Sequence, residues 1–214
     1  MNNLSIAYDH VGNNLYSQYT VTTQAVTPPQ VEKNNTSMSL IIKYTATEDI
    51  YPLLDPSYQA LFSDHTFSNG SGTLTLIDGV YTIPAHTFED ITQLTGIVLP
   101  EGVVSFGQKA FSNSGVNKIT FPKGFRSVSL NALTTASGII SEIYCYTEEV
   151  VELFEQNVTI NTMYVPANLL NNYKSSAWAE YVLQWKTFPG GKGFNFDGMI
   201  DTDYMWQLGH PIKL

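Results

Sequence analysis

Apolar positions in the middle of the chain recur in pairs with one residue between them. Leu74 and Leu76, Ile97 and Leu99, and Ile119 and Phe121 each follow this two-residue period. Such a period places both members of a pair on one face of a short strand. A glycine follows each pair, at 79, 102 and 124, so the unit repeats at steps of 23 and 22. Glycine tolerates the positive φ of a tight turn, and Pro100 and Pro122 stop the second and third strands from extending. Later apolar positions keep the same steps: Ile83, Phe106 and Val128, then Phe88, Phe111 and Leu133, with Ala110 and Ala132 just before the last two. A degenerate fourth copy starts at Ile143-Tyr144-Cys145, and a last short strand is expected at Met163–Val165. One such coil cannot bury its own apolar face, whereas three or more stacked coils share a continuous core.

Helical spacing is confined to the end of this region. Thr147 is positioned to cap a helix over Glu148–Gln156, with Val150, Val151, Leu153 and Phe154 as its buried stripe. A second helix is expected after Pro166, from Ala167 to about Ser176, on Leu169, Leu170 and Tyr173.

The segment Ile97 to Phe111, read as I-V-L-P-E-G-V-V-S-F-G-Q-K-A-F, resembles the BspA-type leucine-rich repeat. The resemblance extends over about 38–188. It takes in Leu40–Glu48 as a leading strand, Ile143-Tyr144-Cys145, and a closing segment from Met163-Tyr164-Val165-Pro166 to Trp178. Leu130, Asn131 and Leu133 stand where the motif has its glycine and Ala-Phe, so the third coil is expected to be irregular. The resemblance implies a strand-dominated α/β fold, a short solenoid with an N-terminal β segment and a helical C-terminal cap. It also implies adhesion or surface recognition, as in bacterial surface proteins and proteins encoded by phages, and it brings no catalytic residues.

Two flanks frame the repeats. Residues 1–37 hold two alternating stretches and a Pro-Pro, Asn-rich linker, read as a β segment or docking arm. Residues 189–214 open on Pro-Gly-Gly-Lys-Gly and carry Phe194, Phe196, Tyr204 and Trp206, a tail that either docks on a neighbour or folds back on its own domain.

Composition narrows the function. Charged residues make up 14% of the chain against about 25% in ordinary soluble domains, and hydroxyl and amide side chains take their place. The net charge is -9 and the ten basic residues are not clustered, which argues against a nucleic-acid footprint. The first alternating stretch carries no Lys or Arg and no unbroken apolar run, so no signal peptide is read in it, and a mature form with its leader removed stays open; no apolar run approaches roughly 18 residues, so no membrane insertion is expected.

Candidate chemistry is thin. Cys145, the single cysteine, aligns with inward-facing strand positions and reads as structural. His10, His65, His86 and His210 show no ligand spacing, and Glu148, Glu149, Glu152 and Glu155 read as a solvated helix face. Gly190-Gly191-Lys192-Gly193 lacks the rest of a phosphate loop, and Asp197, Asp201 and Asp203 do not match a calcium loop. No enzyme activity, cofactor or metal is expected. Tyrosines are the better pointer to recognition: Tyr44, Tyr58, Tyr81, Tyr144 and Tyr146 are expected to be exposed. Alternation turns Tyr144 and Tyr146 outward when Ile143 and Cys145 point in, toward a ligand or against the N-terminal segment or the acidic helix. The reading is a non-enzymatic phage virion component, head- or tail-associated, with a repeat module for protein or glycan. A bacterial surface adhesin is the alternative. Partners are other structural proteins of the assembly and a host surface glycan or protein, and an oligomer is expected.

Overall fold

The computed structural model describes residues 39–188. The expected N-terminal β segment (1–37) and the tail with Phe194, Phe196, Tyr204 and Trp206 lie outside the described residues. In chain order the strands are β1 (Ile41–Ala46), β2 (Phe62–Ser68), β3 (Ser71–Leu76), β4 (Thr82–Ile83), β5 (Leu94–Val98) and β6 (Ser105–Phe106). There follow β7 (Lys118–Phe121), β8 (Ser127–Val128), β9 (Ile139–Cys145), β10 (Glu152–Leu153), β11 (Thr159–Val165) and β12 (Val182–Thr187). A one-turn helix, α1 (Pro56–Gln59), lies between β1 and β2, and α2 (Leu170–Lys174) lies between β11 and β12.

Each coil gives one strand to each of two sheets. The broad sheet has eight strands in the order β12-β11-β9-β7-β5-β1-β3-β2, and the narrow one runs β10-β8-β6-β4. β5, β7, β9, β11 and β12 pair in parallel, as stacked coils must. The first coil departs from this order. Its long strand β3 does not meet β5, because β1 runs antiparallel between them. On the other side β4 pairs directly with β6. The first coil is thus joined on the narrow side and wedged open by one strand on the broad side. Small residues flank the wedge: a Cβ on Gly72 would run into the Tyr44 ring, and one on Gly96 would stand 2.7 Å from Thr45 Oγ1. Tyr44, expected at the surface, is fully buried. It packs on Phe67 and donates to Asp49 Oδ1 at 3.0 Å.

The core lies between the sheets. Leu74, Leu94, Ile119, Ile143 and Met163 reach it from the broad sheet, and Ile83, Phe106 and Val128 from the narrow one; all are fully buried. Phe88, Phe111 and Leu133 close the coils. Phe106 holds the centre, 4.8 Å from Phe111, 4.9 Å from Phe125 and 5.7 Å from Phe121 between ring centroids.

The third coil is regular, contrary to expectation. Asn131 takes the same left-handed backbone (φ 52°) as Lys109 (56°) and His86 (64°) one and two coils earlier, and asparagine accepts that region readily. Ala132 and Leu133 are fully buried, as Ala110 and Phe111 are. The irregularity falls one coil later. Phe88 N–H donates to the Ala110 carbonyl and Phe111 N–H to the Ala132 carbonyl, each from one coil to the next. At the next step Leu133 N–H meets the Gln156 side chain instead, Oε1 at 2.9 Å. Gln156 Nε2 donates to the Ser129 and Phe154 carbonyls at 2.8 and 2.7 Å. A buried side chain thus continues the backbone ladder. Gln156→Leu keeps the bulk and removes both functions, stranding a buried N–H and reducing the bonds to two carbonyls. It is expected to lower unfolding free energy by about 2–3 kcal/mol, read by urea denaturation, because an unmade buried hydrogen bond carries its desolvation cost.

The helix expected over Glu148–Gln156 does not form. Its backbone donors are engaged between coils: Glu152 N–H donates to the Arg126 carbonyl and Phe154 N–H to that of Val128. Stacking on the third coil outcompetes local helical propensity. Glu148 and Glu149 pair with Lys123 and Arg126 at 3.0 and 3.1 Å. The second helix is real but short, a 3-10 turn over Ala167–Leu169 leading into α2. From this cap Tyr173 (fully buried) and Trp178 (1% exposed) close the last coil. Both backbone groups of Val151 end on the cap: its N–H on the Tyr173 hydroxyl at 3.1 Å, its carbonyl on Trp178 Nε1–H at 2.8 Å.

Candidate functional site

The surface with the greatest regularity is the outer face of the broad sheet, the side turned away from the core. Cross-strand pairing lines its side chains into rows. One row crosses all eight strands through Thr66, Thr73, Lys43, Val98, Thr120, Tyr144, Tyr164 and Lys186. At about 4.8 Å per strand it extends roughly 34 Å. A second row passes through Thr45, Gly96, Lys118, Glu142, Thr162 and Gln184. Hydroxyls interact across the strands, Thr66 with Thr73 at 2.7 Å in the first row and Thr95, beside the second row, with Thr45 at 3.0 Å.

Tyr144 and Tyr146 sit on this face, as alternation requires, while Ile143 and Cys145 are fully buried beneath it. They are not freely exposed, however. Tyr144 is 9% and Tyr146 7% exposed. Tyr144 stacks on Tyr164 at 4.7 Å with 5° between the ring planes, and Tyr146 stacks on Phe188 at 4.4 Å. The Lys186 ammonium lies 5.4 Å from the centre of the Tyr164 ring. The rings spend their faces on one another, which makes a stiff strip rather than an open platform. Burial, and after it the Glu142 carboxylate that accepts the Tyr144 hydroxyl at 3.1 Å, push that phenol well above the usual tyrosine range. Lys118 bridges to the same carboxylate at 3.1 Å. Of the other tyrosines, Tyr58 is half-buried and Tyr81 is exposed.

Charge is segregated as well. The two rows carry Lys43, Lys118 and Lys186 against Glu142 alone, on a chain whose net charge is -9. The acid of the fourth coil, Glu148, Glu149, Glu152 and Glu155, lies on the turn and narrow-sheet side. Sequence reasoning missed Tyr164, Phe188 and Lys186. The step from Tyr144 to Tyr164 is 20 residues, shorter than the 22 and 23 of the earlier coils, so the repeat spacing does not reach Tyr164 or, 22 residues on, Lys186; Phe188 lies just past the last strand.

Cys145 is fully buried, with its Sγ 2.9 Å from the Tyr173 hydroxyl and 3.2 Å from Thr147 Oγ1. Burial pushes the thiol up from its ordinary pKa, so the nucleophilic thiolate is suppressed. As the chain has one cysteine, a thiol reagent is expected to label native protein only at the rate of unfolding and denatured protein at once. Fast labelling of native protein would contradict the packing around Cys145. Among the described residues no group of three or more His, Cys, Asp and Glu side chains is placed to hold a metal ion.

A model of the BspA type leucine-rich repeat region matches residues 61–183 in six copies. The chain belongs to this family. No curated protein and no solved structure matches it. BspA-type repeats serve generally as non-enzymatic binding modules, and proteins that carry them are often surface-exposed or extracellular. Among the described residues no helix is long and apolar enough to cross a membrane.

Proposed function

We propose that this protein is a non-enzymatic binding protein whose BspA-type repeats take a partner protein on the outer face of the broad sheet. The observation that carries the reading is the face itself: broad, built on paired strands, stiffened by the stack of Tyr144, Tyr146, Tyr164 and Phe188, and poorer in acid than the chain as a whole. Rigid scaffolds of this kind lose little conformational entropy on association. Tyr144 and Tyr146 act as the floor of the contact, and Tyr164, Thr162, Gln184 and Lys186 offer the reachable groups.

The setting we favour is a phage virion, with the protein as a head- or tail-associated component. A chain poor in charge and rich in hydroxyls and amides supports this. A bacterial surface adhesin is the second reading, supported by where BspA-type proteins are often found. Quantitative mass spectrometry of purified particles and of washed host envelopes, following the peptide Ala110–Lys118, separates the two. Recovery in particles at fixed stoichiometry is the expected result, and recovery in envelopes alone would overturn the virion setting.

A further inference from the structure

The two edges of the broad sheet are built differently. β2, at one edge, is broken by a register shift between Phe62 and Asp64 and places the Asp64 carboxylate beside it. Bulges and charges of this kind keep an edge strand from pairing with another chain. β12, at the other edge, has no bulge: it pairs with β11 from Ile160↔Val182 to Val165↔Thr187 without a register shift. Its one charge, Lys186, lies back over the Tyr164 ring of β11, 5.4 Å from the ring centre. Leu183 of β12 is 73% exposed. Among the described residues no backbone bond reaches its outward side. A regular six-residue edge is a template for a further strand.

We propose that β12 pairs antiparallel with β12 of a second copy about a two-fold axis at Trp185. The register follows from which face each residue occupies. Trp185 pairs with the fully buried Met163 and so lies on the inner face, while Gln184 and Lys186 pair with Thr162 and Tyr164 on the outer face. Residues directly opposite in an antiparallel pair share a face. An axis between two residues would set Gln184 against Trp185 of the second copy, joining outer to inner. An axis at Lys186 would set two ammonium groups together, and one at Gln184 would set buried Val182, the partner of core Ile160, against outward Lys186 of the second copy. An axis at Trp185 matches both faces: the two indoles meet on the inner side, and Gln184 of each copy meets Lys186 of the other on the outer side. The inference is independent of the partner reading above. Its consequence is that two outer faces become one continuous sheet and present two equivalent binding surfaces.

Sedimentation equilibrium of the full chain tests the proposal, with two variants at exposed Gln184. Gln184→Glu places a carboxylate against each opposing lysine and keeps an acceptor for Thr162 Oγ1. It is expected to tighten the dimer about fivefold, the scale of two exposed ion pairs. Gln184→Lys is expected to weaken it by about the same factor. Overall charge alone predicts the opposite order, since added acid on a chain of net charge -9 raises mutual repulsion. Opposite-signed responses in the stated order support the edge pairing. A monomer at every concentration, a dimer indifferent to both variants, or a dimer that follows net charge would overturn it.

Discussion

Trp178→Ala is expected to destabilise the domain by about 4–5 kcal/mol, close to the whole stability of many domains of this size. The indole is 1% exposed and lies 6.1 Å from the Phe121 ring and 6.4 Å from Tyr173 between centroids. Truncation therefore opens a cavity against the last coils. It also strips the Val151 carbonyl of its donor, Trp178 Nε1–H at 2.8 Å. Trp178→Phe separates the two effects. It refills much of the space and still leaves the carbonyl without the indole, so its loss should be about half as large. Urea denaturation followed by circular dichroism reads both. The mechanism belongs to the architecture: a solenoid whose terminal coil is uncovered exposes its shared core. Near-native stability of the alanine variant would mean that the cap does not close the core.

Alkaline pH is expected to unfold the protein within a narrow interval. Tyr44, Tyr144, Tyr173 and Cys145 are all held neutral, chiefly by burial, with pKa values raised well above those of the free side chains. In the unfolded chain the thiol ionises near pH 8.5 and the phenols near pH 10. The folded values lie higher. The contribution is therefore fully present below the unfolded pKa values and is lost as pH rises past them. Each of the three phenols removes about 1.4 kcal/mol per pH unit beyond its unfolded value. By about pH 12 they together remove roughly 8 kcal/mol, enough to unfold a domain of ordinary stability, and the raised thiol acts in the same direction. Phenolate absorbance and tryptophan fluorescence should change together. Tyr173→Phe should lower stability at neutral pH, since Val151 N–H loses its acceptor, and should make the alkaline decline shallower by one proton. A smooth titration of every tyrosine with fluorescence unchanged would contradict the burial of these phenols.

Much of the fold was legible because the repeat is written in spacing. The glycine steps and the paired apolar positions mark three coils and a degenerate fourth, and each inner position they name is buried. Where one side chain replaces a backbone group, spacing gives no signal. Gln156 reads as the end of an acidic helix, yet it takes the place of a carbonyl in the ladder. The insertion of β1 was hidden for a related reason. Its residues carry the alternation of any strand, and the clue to its place is the bare Cα of Gly72 and Gly96 on either side. The outer face was half legible. Alternation within β9 turned Tyr144 and Tyr146 outward, but their cover comes from Tyr164 and Phe188, supplied by register between strands. Tyr44 followed the same rule in reverse, since its alternation partners Ile42 and Ala46 are core residues.

The central claim is that the outer face of the broad sheet takes the partner. Site-specific photo-crosslinking tests it most directly, with a photoreactive residue at Thr162 on that face or at Ser105 on the narrow sheet. Both variants would be assembled into particles and into envelopes before irradiation. Crosslinking of one discrete protein from Thr162, with none from Ser105, is the result this account expects. Crosslinking from Ser105 alone would contradict it and move recognition to the narrow sheet.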